Sequence, residues 1–219
     1  EIAGHGESPD DVCLFRFEEE LLRRAGVNAV YFGYPLLDSV VSRLSREQTL
    51  EKLGLNPSER YVVFLPGSRP AEVAYHQPLF VDVLLRLRRE CGNIRGAVVT
   101  MGQDAMQNAE CRMQSAKARG QETIGARRTV NGSELLVVNH DRYDVMRHAD
   151  CACAVSGTVT AELAILGVPM AVCYHLPWLS RVLARALVRI PHFALPNILA
   201  GTRLVPEMLE PEPQALVRT

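Results

Sequence analysis

The sequence has no excess of charge of either sign. Its 24 lysines and arginines nearly balance 25 aspartates and glutamates, and the formal net charge is -1. Proteins that bind nucleic acid through a basic surface carry a clear positive charge, so we expect no nucleic acid partner. No apolar run approaches the roughly 20 residues that a membrane-spanning helix requires. We therefore expect a cytoplasmic protein.

Several motifs of nucleotide, hydrolase and metal sites are also absent. The chain has neither Gly-x-Gly-x-x-Gly nor a Walker-type Gly-Lys-Ser/Thr sequence, so a dinucleotide or ATP site loses its main support. It has no Gly-x-Ser-x-Gly sequence, so a hydrolase nucleophile elbow has no basis. Cys151 and Cys153 are closely spaced, but no second pair or histidine cluster at ligand spacing accompanies them. We expect no metal, no cofactor and a reducing compartment.

The stretch from Asp150 to Gly167 carries the clearest structural pattern. Residues Cys151 to Val155 are small and uniformly apolar, which predicts a strand buried on both faces. Ser156-Gly157-Thr158 interrupts this run, and the apolar residues that follow recur at helical spacing. A helix that begins there presents unpaired N–H groups and a positive dipole end, which favour an anion such as a phosphate. The alternative is an ordinary turn with serine or threonine as the N-cap.

Two further features support an anion site. Glu162 lies one turn into the predicted helix, where its carboxylate can accept hydrogen bonds from sugar hydroxyls beside a bound phosphate. A second turn, Gly67-Ser68-Arg69, follows the apolar run Tyr61–Leu65. Its glycine allows close approach of the backbone, its serine can donate a hydrogen bond, and its arginine has a bidentate fork suited to phosphate. The alternative for this arginine is contact with water alone.

From Tyr61 onward, predicted strands alternate with predicted helices. The strands span Tyr61–Leu65, Asn93–Thr100, Glu134–Val138, Cys151–Val155 and Pro169–Cys173; the helices span Ala71–Glu90, Asp104–Lys117, Tyr143–His148, Leu179–Val188 and Val205–Leu209. Gly120 to Asn131 shows no periodicity. Strands that are apolar throughout are typical of a parallel sheet covered on both faces, so we expect a doubly wound α/β fold. Both turns lie at carboxyl ends of strands, where such sheets bind ligands, and together they can clasp a diphosphate.

Four blocks of the sequence form a recognisable set. They are F-E-E-E-L-L-R-R-A-G-V-N-A-V-Y-F-G-Y-P-L-L-D at Phe17–Asp38, L-P-G-S-R-x-x-E-V at Leu65–Val73, S-G-T-V-T-A-E-L-A-I-L-G-V-P-M at Ser156–Met170, and L-P-N-I-L-A-G-T-R-L-V-P-E-M-L at Leu195–Leu209. In this order they resemble the lipid-A-disaccharide synthase family, and they are distributed over most of the chain, from Phe17 to Leu209. The resemblance implies a GT-B glycosyltransferase whose C-terminal donor domain is a Rossmann-like, doubly wound parallel sheet.

The resemblance also implies a reaction and a set of site residues. The family joins a UDP-2,3-diacylglucosamine donor to a 2,3-diacylglucosamine 1-phosphate acceptor in lipid A synthesis and releases UDP, without a metal. The implied UDP-sugar-binding residues are Gly67, Ser68, Arg69, Ser156, Gly157, Thr158, Thr160, Glu162 and Asn197. By this resemblance Glu162 contacts the ribose or the sugar, and Asn197 lies near the UDP site.

The domain organisation follows from the same resemblance. Residues 1–40 are expected to be the remnant of an N-terminal acceptor domain, residues 41–60 an interdomain linker, and residues 61–219 the donor domain. The general base of the family belongs to its N-terminal half, so no catalytic residue is assigned in this chain. A homodimer and peripheral attachment to the cytoplasmic face of the inner membrane are further expectations, and the amphipathic segment Leu179–Val188 suits the latter.

Two other functions stay open at this point. The first is another UDP-sugar enzyme of the GT-B fold, such as a protein similar to UDP-N-acetylglucosamine epimerase. Such an enzyme would act on an unacylated sugar, so a comparison of acylated and unacylated donors separates it from the family reaction. The second is a truncated, non-catalytic homologue that serves as a binding module.

Overall fold

The computed structural model describes residues 11–100, 112–113, 125–130, 133–138, 140–174 and 192–219. The chain forms two compact units, Glu1–Val40 and Val41–Thr219. The helix predicted at Leu179–Val188 lies outside the described residues. The helix predicted at Asp104–Lys117 also lies outside them, apart from Arg112–Met113, which form a short strand instead of part of a helix.

The first unit is a strand–helix–strand motif followed by a short helix. Its elements are β1 (Asp11–Cys13), α1 (Arg16–Arg24), β2 (Ala29–Tyr31) and α2 (Leu36–Ser39), and β1 pairs with β2 in parallel. The Glu18 carboxylate accepts hydrogen bonds from the N–H groups of Leu14 and Phe15, at 3.1 and 3.0 Å, which satisfies donors at the start of α1. The sequence pattern predicts a helix at Glu18–Ala25 and a strand at Val27–Phe32, and the structure confirms both with shifted ends.

The second unit is built on an eight-stranded mixed sheet. Its elements are α3 (Arg46–Leu53), β3 (Arg60–Leu65), α4 (Pro70–Cys91), β4 (Ile94–Val99), β5 (Arg112–Met113), β6 (Gly125–Val130), β7 (Ser133–Val138), α5 (Arg142–Arg147), β8 (Cys151–Val155), α6 (Thr158–Ile165), β9 (Met170–Tyr174), α7 (Leu195–Ala200), β10 (Glu207–Leu209) and α8 (Pro213–Val217). The strand order is β10-β9-β8-β3-β4-β7-β6-β5. The strands from β10 to β7 are parallel, which confirms the predicted sheet, whereas β6 and β5 extend one edge in antiparallel fashion.

Two further segments differ from the sequence-based prediction. The pattern at Val205–Leu209 predicts a short helix, but Glu207–Leu209 is the edge strand β10, paired in parallel with β9. So few residues cannot separate helical from extended periodicity, and the backbone of β9 decides the outcome. The stretch Gly125–Val130 shows no periodicity, yet it pairs with β7 along its whole length as β6. A partner strand thus determines its structure more than local preference does.

A cluster of buried apolar side chains fixes α4 against the sheet. Phe64 on β3 and Phe80 on α4 lie in this cluster, with ring centroids 5.2 Å apart. Val73, near the start of α4, is also buried there. Each such side chain contributes about 1.5–3 kcal/mol through burial. Because both β3 and the start of α4 are fixed by packing, the turn between them has a defined position at the carboxyl edge of the sheet.

The chain adds strands to the sheet first on one side of β3 and later on the other side. The chain passes from β3 through α4 to β4 on one side, whereas β8 lies on the other side of β3. β3 and β8 pair in parallel, with Val62 opposite Cys151 and Leu65 opposite Ala154. A crevice opens at the carboxyl ends of two such strands, where their connections leave in opposite directions. The two strands at this switch point are the ones that carry the Gly-Ser-Arg and Ser-Gly-Thr turns.

The segment of residues 41–60, predicted as a linker, belongs to the second unit and contains α3. The side chain of Asp144 on α5 binds the first residues of this segment. One oxygen of this buried carboxylate accepts hydrogen bonds from the Arg43 N–H at 2.6 Å, the Leu44 N–H at 2.7 Å and the Ser42 hydroxyl at 2.8 Å. The assignment of the two units to acceptor and donor domains stays a prediction.

Glu59 connects the end of this segment to the sheet. Its carboxylate accepts a hydrogen bond from the Asn56 N–H at 2.7 Å and pairs with Arg95 at 2.8 Å, and the residue is only 9% exposed. The Asn56 N–H and then Arg95 lower the pKa of Glu59 below its ordinary value. We expect Glu59→Gln to lower the free energy of unfolding by about 1–3 kcal/mol at neutral pH. Urea denaturation measures this loss.

The contribution of Glu59 should depend on pH. Because the folded-state pKa is depressed, the stabilisation is present above the unfolded-state pKa and disappears as the pH falls through the folded-state pKa. The difference between the wild-type protein and Glu59→Gln should therefore shrink in acid. Glu134→Gln is the control, because Glu134 also pairs with Arg95, at 3.3 Å, but its side chain is 40% exposed. The loss of unfolding free energy in Glu134→Gln should stay below about 1 kcal/mol. Equal losses in Glu59→Gln and Glu134→Gln would contradict the prediction.

Candidate functional site

A cavity of about 430 Å³ opens between the carboxyl ends of β3 and β8. This volume is within the range of roughly 300–1,000 Å³ that is typical of small-molecule sites. Both predicted turns, Gly67-Ser68-Arg69 and Ser156-Gly157-Thr158, line the cavity, and so do Glu72, Arg142 and Glu162. The structure therefore brings together two turns that are almost 90 residues apart in the sequence, as the switch-point argument predicts.

The N-terminus of α6 forms one side of the cavity. Thr158 and Val159 are the first residues of the helix, so their N–H groups have no acceptor within it. Gly157 precedes them, and a Cβ atom added there would meet no atom within 4 Å, so a ligand can approach the backbone closely. The positive end of the helix dipole lies at the same point. This side of the cavity is therefore suited to a phosphate.

The β3–α4 turn is arranged differently, because the carboxylate of Glu72 already accepts the backbone hydrogen bonds that a bound anion would accept there. Glu72 Oε2 accepts hydrogen bonds from the N–H groups of Ser68 and Arg69, at 3.1 and 3.3 Å. Gly67 has a φ angle of +115°, and a Cβ atom there would lie 2.5 Å from Glu72 Oε2. The carboxylate thus caps the start of α4 and shapes the turn. The groups of this turn that can contact a ligand are the side chains of Ser68 and Arg69.

Arg69 contributes a cation to the cavity wall. Its side chain is 81% exposed, and its Nη1 atom lies 3.2 Å from Glu72 Oε1. An ion pair as exposed as this one contributes less than about 1 kcal/mol. The guanidinium group can therefore leave Glu72 for an anionic ligand at little cost, and its paired N–H donors match phosphate oxygens.

Glu162 is a buried carboxylate one turn into α6. The residue is 5% exposed and lines the cavity. Its Oε1 atom accepts hydrogen bonds from Arg142 Nη2 at 3.1 Å and from the Tyr143 hydroxyl at 3.3 Å. A buried carboxylate without a partner is strongly unfavourable, and the arginine provides the compensating charge. The arrangement keeps a carboxylate beside the N-terminus of α6, where it can accept hydrogen bonds from ligand hydroxyls.

Ser156 connects the cavity wall to the segment before α7. Its hydroxyl donates a hydrogen bond to the Phe193 carbonyl at 2.6 Å. The Phe193 and Ala194 N–H groups in turn donate to Glu207 Oε2, both at 2.8 Å. Burial raises the pKa of Glu207, but hydrogen bonds from Ala194, His192 and Phe193 outweigh burial and lower the pKa below its ordinary value. In this arrangement the Ser156 hydroxyl holds protein backbone and does not donate into the cavity.

We expect Ser156→Ala to affect stability more than ligand binding. Loss of the hydrogen bond to Phe193 should lower the free energy of unfolding by about 1 kcal/mol, as measured by urea denaturation. The affinity for a nucleoside diphosphate, measured by calorimetry, should change by less than about threefold. A large loss of affinity at unchanged stability would contradict this prediction, because it would mean that the hydroxyl turns to the ligand.

Two predicted site residues, Thr160 and Asn197, are not part of the cavity wall. Thr160 is fully buried, and its hydroxyl donates to the Gly157 carbonyl at 2.8 Å. Asn197 is also fully buried; its side-chain oxygen accepts from the N–H groups of Leu204 and Val205, and its amide donates to the Val205 carbonyl. Both side chains stabilise the backbone of nearby turns. Their contact with a UDP-sugar stays a prediction.

Three polar residues of the cavity wall or its support, Glu72, Arg142 and Tyr143, are missing from the sequence-based set. Arg142 and Tyr143 begin the helix that follows β7, so their position after the carboxyl end of a strand was the available signal. For Glu72 the signal was its place three residues after Arg69, at the start of a helix, which is the spacing of a capping box.

Neither a metal site nor a membrane span is found in the described part of the chain. Among the described residues, no group of three or more histidine, cysteine, aspartate or glutamate side chains is placed to hold a metal ion. Within the same ranges, no helix combines the length and the apolar character that crossing a bilayer requires.

Comparison with known proteins gives the family. The family model for lipid-A-disaccharide synthetase matches residues 10–217. The lipid-A-disaccharide synthase of Solibacter usitatus is 37% identical over 199 residues, which cover 91% of this chain and 48% of that protein. The lipid-A-disaccharide synthase of Geobacter metallireducens is 33% identical over 202 residues, covering 92% of this chain and 49% of that protein. The chain thus spans about half the length of the curated relatives it matches.

Solved structures support the fold. WaaG, a glycosyltransferase involved in lipopolysaccharide biosynthesis, superposes with a TM-score of 0.50 at 15% identity, over 98% of this chain and 53% of that one. The wall teichoic acid polymerase TagF superposes with a TM-score of 0.50 at 16% identity, over 94% of this chain and 47% of that one. At such identities the likeness shows the fold alone, and it confirms the predicted GT-B type.

Proposed function

Because the chain belongs to the lipid-A-disaccharide synthase family, we propose that it binds the UDP-sugar donor of a glycosyl transfer. In that reaction UDP-2,3-diacylglucosamine is joined to 2,3-diacylglucosamine 1-phosphate, and UDP is released as lipid A disaccharide 1-phosphate forms. The observation that best supports the proposal is the cavity between β3 and β8, where a helix N-terminus, an exposed arginine and a buried carboxylate meet.

In this proposal the diphosphate of the donor binds at the N-terminus of α6. The N–H groups of Thr158 and Val159 donate to phosphate oxygens, and Gly157 permits their close approach. Ser68 and Arg69 approach the same diphosphate from the β3 side of the cavity. These donors also stabilise the negative charge that develops on UDP as the bond from the anomeric carbon to the phosphate oxygen breaks.

Glu162 accepts hydrogen bonds from hydroxyl groups of the ribose or of the donor sugar in this proposal. The acceptor hydroxyl attacks the anomeric carbon from the face opposite UDP, which inverts the configuration there. A general base must take the proton of that hydroxyl, and we assign this role to no described residue. We propose that the base belongs to the part of the family's length that this chain does not match.

We extend the proposal to assembly and location. The acyl chains of both substrates are anchored in a bilayer, so we propose peripheral attachment to the cytoplasmic face of the inner membrane. The family resemblance further suggests a homodimer. Flotation with vesicles of inner-membrane lipid and sedimentation velocity test these two points, and a monomer that stays with the aqueous fraction would contradict both.

Calorimetric titration of the chain with UDP, ADP and two UDP-sugars tests the proposed function. We expect one UDP site per chain, weaker binding of ADP, and tighter binding of UDP-2,3-diacylglucosamine than of UDP-N-acetylglucosamine. A folded chain that does not bind UDP would contradict the proposal. Equal affinity for the acylated and unacylated donors would instead favour another UDP-sugar enzyme of the same fold.

Arg69→Ala provides a matched test of the site. Loss of a charged donor to the diphosphate should weaken UDP binding by roughly tenfold or more. Arg89→Ala is the control, because Arg89 is an exposed arginine near the other end of the same helix. Calorimetry should show wild-type affinity for the control. Equal affinities for the two variants would contradict a role of Arg69 in the site.

A further inference from the structure

Two side chains from the start of α5 hold a single oxygen of Glu162. Arg142 Nη2 and the Tyr143 hydroxyl donate to Oε1, at 3.1 and 3.3 Å. The two donors also support each other, because Arg142 Nη2 lies 2.5 Å from the Tyr143 hydroxyl and the guanidinium carbon lies 4.5 Å from the ring centroid. The orientation of the carboxylate is therefore set by another helix.

The other oxygen of the carboxylate, Oε2, is left for a ligand. Among the described residues, no donor to Oε2 is found, although each carboxylate oxygen can accept about two hydrogen bonds. Glu162 lines the cavity, and its side chain is 7% exposed. Arg142 also lines the cavity, with 28% of its side chain exposed, whereas Tyr143 is not part of the cavity wall. One oxygen thus accepts hydrogen bonds from the protein, and the other keeps its acceptor capacity for a ligand in the cavity.

We propose that Arg142 and Tyr143 are positioning residues that aim Glu162 Oε2 at hydroxyl groups adjoining the bound diphosphate. This inference rests on the proposed function, since it takes UDP or a UDP-sugar as the ligand. A site built to hydrogen-bond a hydroxyl discriminates against a ligand that lacks it, because the buried acceptor is then left without a partner. Discrimination requires a carboxylate that is held in place, and the two donors from α5 restrain its rotation.

The preference for hydroxyl groups, measured as a ratio of affinities, tests the inference. UDP compared with 2′-deoxy-UDP reports on the ribose, and UDP-N-acetylglucosamine compared with UDP reports on the sugar. In the wild-type chain we expect at least one of these ratios to reach roughly tenfold, the effect of one hydrogen bond to a charged group. In Arg142→Gln and in Tyr143→Phe, which removes only the hydroxyl, the same ratio should fall to about threefold or less.

Arg147→Gln is the matched control. Arg147 lies on the same helix and also reaches α6, but it donates to the Leu166 carbonyl at the far end from the cavity. The control should keep the wild-type ratio even where thermal unfolding shows some loss of stability. A merely structural role of Arg142 and Tyr143 would weaken all ligands equally and leave the ratios unchanged.

The outcomes separate the inference from the function on which it rests. Affinity ratios that fall in Arg142→Gln and Tyr143→Phe but keep the wild-type value in Arg147→Gln support the inference. Ratios near one in the wild-type chain, or wild-type ratios retained in both variants, overturn it while UDP binding stands. Failure of the folded wild-type chain to bind UDP at all overturns the proposed function itself.

Discussion

Replacing Gly67 by alanine is expected to remove most UDP binding. Gly67 has a φ angle of +115°, which residues with a Cβ atom rarely adopt, and that atom would lie 2.5 Å from Glu72 Oε2 and 2.8 Å from Glu72 Cβ. Alanine would therefore displace Glu72, which shapes this turn, and would move the Ser68 and Arg69 side chains from their places in the cavity wall. We expect calorimetry to show a loss of affinity of about 100-fold, with about 2–3 kcal/mol of unfolding free energy lost.

Gly92→Ala separates backbone strain from loss of the site. Gly92 ends the helix that the Gly67 turn begins, it has a φ angle of +84°, and a Cβ atom there would meet no atom within 4 Å. Alanine at this position should also reduce stability, because of the backbone conformation, but should leave the affinity for UDP within about threefold of the wild-type value. Wild-type affinity in Gly67→Ala would show that the β3–α4 turn is not part of the site.

Replacing Thr158 by proline tests the N-terminus of α6 directly. Thr158 is the first residue of the helix, a position that tolerates proline, and the preceding Gly157 is extended, with φ 159° and ψ -170°. The substitution should therefore keep the helix but remove one N–H group that points at the proposed diphosphate. We expect the affinity for UDP to fall roughly 10- to 100-fold, the effect of one hydrogen bond to a charged group.

Thr158→Ala is the companion variant, because it removes the hydroxyl and keeps the N–H group. Its affinity should lie between those of the wild-type chain and Thr158→Pro, and all three chains should unfold at similar urea concentrations. If proline and alanine weaken UDP binding equally, the side chain rather than the helix N-terminus holds the ligand. Unchanged affinity in Thr158→Pro, at unchanged stability, would exclude the helix N-terminus as the diphosphate site.

The central strands were predictable because their residues are apolar on both faces. Tyr61–Leu65 and Cys151–Val155 are strands within one residue of the predicted ends, since burial of these runs requires a sheet covered by other elements. The strands β10 and β6 were not predictable from local pattern. β10 has three residues, and β6 depends on its pairing with β7, so their structure is set by partners distant in the sequence.

The same distinction applies to the site. The two turns were predictable, because glycine and serine after a buried strand mark the ligand edge of a parallel sheet. The hydrogen bonds from the backbone of the β3–α4 turn to Glu72 were not predictable. They depend on the φ angle of Gly67 and on the position of one carboxylate oxygen. The contact of Arg142 with Glu162 joins two helices that only the folded sheet brings together. Side-chain geometry of this kind cannot be read from spacing.

A crystal structure of the chain with UDP tests the central claim most directly. We expect the diphosphate within hydrogen-bonding distance of the Thr158 and Val159 N–H groups, Arg69 turned from Glu72 toward a phosphate oxygen, and a ligand hydroxyl on Glu162 Oε2. Glu72 should still cap the β3–α4 turn. UDP bound elsewhere, or a diphosphate that displaces Glu72 from the Ser68 N–H and leaves the N-terminus of α6 without contact, would contradict the account.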